Sequence, residues 1–147
     1  MIFGLPTHPL LVHFPVVAIP VLSVAAFVVA LRPSNNRTGS ILGVFAVVTA
    51  VATVLTARSG EQLADLLSSG ENIDRHRQLG ETLRLFVILQ TVALLGMIGF
   101  QAKPSLSGNH PVSLLMRAAV GVLSVLAMIW VILTGHEGAS QSWGFLT

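Results

Sequence analysis

Four stretches of the chain are nearly free of charge, and the polar residues crowd between them. They run from 9 to 31, 39 to 57, 83 to 100 and 112 to 134. Each approaches the ~20 apolar residues a helix needs to cross ~30 Å of hydrocarbon. Strand signals between them are few, and an open strand leaves its backbone unsatisfied in lipid. The pattern predicts an all-α integral membrane protein, a single four-helix bundle over residues 1–147. An even number of spans puts both termini on the same side.

The punctuation refines this picture. Pro9 suits a first helical position, with Thr7 or His8 as cap. His8 precedes a proline and is expected to be extended, able to fold back toward His13. Pro15 and Pro20 should bend the first helix or free carbonyls in it. Gly39, Gly43, Ala46, Ala50, Thr53, Ala57 and Gly60 line one face of the second helix, where small residues permit close packing or oligomerisation. Residues 58–82 form the one long connection, read as a surface amphipathic segment, with Asp74 as cap of the third helix. Gln90 shares a stripe with His76 and should point inward. Arg117 is expected to snorkel outward from the fourth helix. The tail from His136 to Trp143 reads as interfacial, with Trp143 and Phe145 as anchors.

Composition agrees with the pattern. Hydrophobic residues make up 53% of the chain and charged residues 10%, against about 25% charged in a soluble domain. Mean hydropathy is +0.81. With no cysteine, disulfides, thiolate metal sites and covalent haem attachment are excluded. No basic stripe interleaved with aromatics suggests nucleic acid as a partner. No Lys or Arg precedes Arg32, so the first apolar run reads as a retained helix rather than a signal peptide.

The topology sorts the polar residues between two ends. Arg32, Arg37, Lys103 and Arg117 fall at one end with no acid. Arg58, Arg75, Arg77 and Arg84 fall at the other, with every acidic residue. Basic counts tie, but the acid-free short turns favour a cytoplasmic position for the first end. The second end and both termini are then extracytoplasmic. It collects His8, His13, Glu61, His76, His136 and Glu137, leaving only His110 opposite. His8 and His13 are five apart, about 140° around a helix, so they do not form a helical pair.

Several of these stretches resemble a known family. His8-Pro9-Leu10-Leu11-Val12-His13-Phe14-Pro15, Ser59-Gly60-Glu61-Gln62-Leu63-Ala64 and Ile73-Asp74-Arg75-His76-Arg77-Gln78-Leu79-Gly80 are similar to motifs of the bacterial membrane family called domain of unknown function 2231. A looser likeness is His136-Glu137-Gly138-Ala139, where the family usually has His-Gly. The resemblance implies a four-helix, multi-pass protein of the bacterial inner membrane, with marked positions at His8, His13, Glu61, His76 and His136. It implies no settled activity. Some members are joined to Rieske or c-type cytochrome domains, which associates the family with electron transfer.

Three functions fit the cluster. The first is a redox-associated subunit binding haem b, since bundles build cofactor sites from facing helices and haem iron takes histidine. The expected axial pair is His13 and His76, with His136 as substitute, and Arg58, Arg75, Arg77 or Arg84 for propionates. The second is a zinc, copper or iron site formed by His8, His13, Glu61, His76 and His136, in a hydrolase or metal carrier. The third is an accessory subunit without cofactor, docking a redox protein or membrane complex. Whether the protein is an enzyme stays open. The lipid bilayer is the one partner common to all three.

Overall fold

A computed structural model of the chain describes residue 8 and residues 11–32, 36–66, 71–102 and 111–143. Four helices account for it: α1 (His13–Leu31), α2 (Asn36–Leu66), α3 (Glu71–Gln101) and α4 (Pro111–Trp143). All four are long and apolar enough to cross a membrane. Large apolar side chains such as Val17, Val44, Val92 and Leu115 stand exposed on the outside. A water-facing surface would not tolerate so continuous an apolar coat, and the protein is a multi-pass membrane protein.

Each helix packs on its neighbour in sequence, and α4 closes the ring on α1. Neighbours run in opposite directions. Arg117, in the second turn of α4, reaches Ala30 and Leu31 at the end of α1. His76, near the start of α3, lies against Gly138 near the end of α4. His8 and Gly138 therefore share one end of the bundle. α1 and α3 form one diagonal, α2 and α4 the other.

The interior is built in layers. Near the Arg117 end, Leu22, Ala26, Leu42, Ala46, Leu94, Met97 and Val120 make an apolar cluster. Gly43 lets α3 come close, because a Cβ there would meet the Leu95 side chain at 3.1 Å. Toward the His8 end, Ile19, Leu83, Val87, Ala127 and Val131 make a second cluster. Between them lies a polar layer. The Gln90 amide, fully buried, donates to Ser124 Oγ at 3.0 Å and to Ser23 Oγ at 3.5 Å. The inward expectation for Gln90 matches this placement.

Three local expectations differ from the structure. The chain does not leave its helix after Ala57: α2 continues through residues 58–66, and α3 is already helical at Glu71. Nothing in Glu61-Gln62-Leu63-Ala64-Asp65-Leu66 breaks a helix, and once nucleated a helix propagates readily. At 31 residues each, α2 and α3 are about 46 Å long, so one end stands beyond the hydrocarbon. His8 is not extended: its carbonyl accepts from Val12 N–H at 3.0 Å, a helical bond that leaves its ring facing α2. Arg117 does not snorkel outward. Its guanidinium turns back to the carbonyls of Ala30 and Leu31 at 2.6 Å each, which would otherwise lack donors at a helix end. Thr7, Pro9, His110, Phe145 and the turn residues Lys103–Pro111, apart from Pro111, lie outside the described residues.

Candidate functional site

The site begins with a proline. Pro15 has no N–H, so the carbonyl of Leu11 four residues earlier loses its helical donor. Thr56, on α2, supplies one: its hydroxyl donates to Leu11 O at 3.3 Å. That bond ties the first turn of the chain to the upper part of α2. One turn before Leu11, His8 makes the return contact. Its Nδ1 lies 3.0 Å from the Thr56 carbonyl and 3.4 Å from Ser59 Oγ. The Ser59 hydroxyl also donates to the Thr56 carbonyl, at 2.8 Å. A carbonyl only accepts, so in the neutral form of His8 this contact places the proton on Nδ1 and the lone pair on Nε2.

Two glycines complete the seat. A Cβ on Gly60 would come within 3.0 Å of the His8 ring, and one on Gly138 within 3.1 Å of the His76 ring. Each imidazole thus lies directly on a helix backbone, His8 on α2 and His76 on α4. Histidines from one diagonal rest on glycines from the other. The two rings meet edge to face, with centroids 6.3 Å apart and planes at 82°. Both residues are half-buried. His76 Nδ1 is buried with no hydrogen-bond partner among the described residues.

Ion pairs flank the rings. Arg84 Nη1 donates to Glu61 Oε1 at 3.1 Å, with both side chains about one-third exposed. Arg75 Nε lies 3.6 Å from Glu137 Oε2. Both bridges link neighbouring helices around the histidine pair, α2 to α3 and α3 to α4.

The expected residues divide accordingly. His8 and His76 meet ring to ring, and Glu61 pairs with Arg84 between α2 and α3 at the same end. His13 points to the exposed outside of α1 and His136 to the exposed side of α4. Arg58 is exposed as well. The structure therefore pairs His76 with His8, where the sequence favoured His13. The five-residue offset between His8 and His13 puts them on different faces, and only His8 lies over α2. Among the described residues, no group of three or more His, Cys, Asp or Glu side chains gathers as a metal-binding set.

Thr56 went unnoticed in the sequence, and Gly138 was read only as part of a weak motif. A signal for Thr56 existed. Pro15 announces an unpaired carbonyl at Leu11, and a hydroxyl on a neighbouring helix is the usual remedy in lipid. No curated protein and no solved structure matches the chain. The motifs that meet at this end, from His8 to Gly138, span nearly the whole sequence, and so does the family match. The chain belongs to the family described as Predicted membrane protein (DUF2231), which covers residues 4–146.

Proposed function

We propose that this chain is a redox-associated membrane subunit that binds b-type haem between His8 and His76. The observation that carries the reading is the imidazole pair itself, two rings from diagonal helices, 6.3 Å apart. Imidazole nitrogens bind a metal centre at ~2.0–2.1 Å, and two rings this close could reach a shared one. The tautomer also suits ligation. Metal-binding histidines commonly donate their second N–H to a backbone carbonyl, as His8 Nδ1 does to Thr56.

The donor count favours haem over a bare ion. A zinc site takes three or four protein ligands, whereas haem iron would need only one or two side chains from the protein. His8 and His76 would be those two. Arg84 would serve a propionate, sharing its charge with Glu61. The bound group would supply reversible one-electron chemistry. The chain's own part is to fix both imidazoles, exclude water with the apolar layer of Ile19, Leu83 and Val87, and present the site at one end of the bundle.

That position suits exchange with a redox protein docking at the same end. Acid-free basic residues at the opposite end favour a cytoplasmic location for it. The histidine end then faces outward from a bacterial inner membrane.

The test is an absorption spectrum of detergent-purified protein, oxidised and dithionite-reduced, from cells grown with a haem precursor. A Soret band and sharp reduced bands are expected. They should vanish in His8→Ala and His76→Ala and persist in His13→Ala and His136→Ala. A featureless spectrum from helical, monodisperse protein would overturn the reading. So would a haem spectrum that survives removal of both His8 and His76.

A further inference from the structure

The opposite end of the bundle carries a different feature. Between α1 and α4 runs an open groove lined by Phe27, Leu31, Gly121, Val122 and Val125, with Arg117 at its rim. Phe27, Leu31, Val122 and Val125 are exposed. Gly121 keeps the floor low: a Cβ there would only just touch Phe27, at 3.8 Å. The lining is apolar along its length and cationic at one end.

We propose that this groove holds one acyl chain of an anionic phospholipid, with the headgroup phosphate on Arg117. The charge distribution selects the occupant. All six acidic residues lie in the sequence at Glu61, Asp65, Glu71, Asp74, Glu81 and Glu137, on helix segments at the histidine end. Arg117 shares its own end with Arg32 and Arg37, both exposed, and in sequence with Lys103. No carboxylate is available there to neutralise a guanidinium. Basic pockets between membrane helices recruit anionic headgroups for this reason.

The geometry holds Arg117 ready. Its bonds to Ala30 and Leu31 pin the guanidinium over the mouth of the groove. They engage two of its five N–H donors among the described residues, which leaves donors for an oxygen acceptor. A bidentate or forked grip on phosphate follows from such a fixed fork. A second copy of the chain would bring its own four cations to the same end and be repelled. A neutral partner helix would gain nothing from Arg117.

Native mass spectrometry of the detergent-solubilised full chain tests this. The probes are phosphatidylglycerol and phosphatidylcholine of matched acyl chains. Phosphatidylglycerol should bind with 1:1 stoichiometry and at least roughly fivefold more tightly, the gain expected for one basic residue at an anionic surface. Arg117→Gln should erase that preference. Because Arg117 also caps α1, Ala118→Phe, at another residue lining the groove, provides a second variant that fills the groove and leaves the cation. It should weaken phosphatidylglycerol by a similar factor while helical content and monodispersity stay as in the wild type. Equal affinity for both lipids would overturn the proposal, as would unchanged binding in folded Ala118→Phe protein. Crosslinking of two copies of a Val122→Cys variant in phosphatidylglycerol-containing vesicles would also overturn it, assigning the groove to self-association.

Discussion

The two ends of the bundle solve the same problem by opposite means. Each must finish helices whose last backbone groups lack partners. At the Arg117 end, one long cation reaches across and satisfies two carbonyls of α1. At the histidine end, short groups on neighbouring helices interlock: Thr56 serves Leu11, His8 serves Thr56, and both rings rest on glycine. The first solution leaves a groove open and a charge unbalanced. The second interlocks its side chains and pairs charges between helices. A flexible side chain tolerates change around it, whereas an interlocked seat does not. The contrast predicts where substitutions will matter.

The largest effect should come from the glycines. Gly60→Ala and Gly138→Ala together would push Cβ atoms to 3.0 and 3.1 Å from the two rings. Gly121→Ala would meet Phe27 at an ordinary 3.8 Å. If the rings are haem ligands, the double variant should lose about 10- to 100-fold in haem affinity, the usual cost of disturbing what orients a ligand. Gly121→Ala should keep full affinity. Haem titration of the apoprotein would read both. Equal affinities across all variants would break the contrast between the ends.

Next in size is Thr56→Val. It keeps the shape but removes the donor to Leu11, leaving a carbonyl that Pro15 has already deprived of its helical bond. The cost should be about 1–3 kcal/mol. Thr53→Val is the matched control, because its hydroxyl only donates back to Thr49 within the same helix. Its cost should be a few tenths of a kcal/mol, about that of a dispensable local bond. Mixed-micelle unfolding would separate the two.

The midplane layer should matter less than its burial suggests. Gln90→Leu removes two hydrogen bonds to Ser124 and Ser23. It also removes a carbonyl oxygen that has no partner among the described residues. Ser124 keeps its own bond to Val120. Side-chain bonds between membrane helices average about 0.6 kcal/mol, and losing the orphaned oxygen offsets part of that. A net change within about 1 kcal/mol is expected by the same unfolding assay.

Much of this was readable from the chain, for identifiable reasons. Span length and the absence of charge are dictated by bilayer thickness, so four helices followed directly. The gathering of His8, His76, Glu61 and Glu137 at one end followed from counting spans. Which histidine pairs with His76 did not follow. His8 and His13 sit at similar depth, and the choice depends on rotation about α1, fixed by the Thr56 contacts on another helix. The helical course of residues 58–66 is not visible in polarity, which does not mark the end of a helix. It marks only the end of the hydrocarbon. Arg117 was misplaced for a related reason: snorkelling describes a lone cation in lipid, and here two orphaned carbonyls stood within reach.

The smallest expected effect tests whether charge balance at the histidine end contributes to stability. Glu61→Gln leaves an amide beside Arg84 in place of the carboxylate. Both side chains are about one-third exposed, so solvent screens the pair, and such bridges contribute at most about 1 kcal/mol. The loss should shrink further in 1 M salt, where the screening length is about 3 Å. Stability measured at low and high salt would show both effects. Arg117 has no acid to lose, so the contacts it makes with Ala30 and Leu31 should be nearly insensitive to salt. A salt-independent loss in Glu61→Gln, well above 1 kcal/mol, would mean that Glu61 acts by packing or positioning rather than by charge. The histidine end would then be held by its interlocked contacts alone.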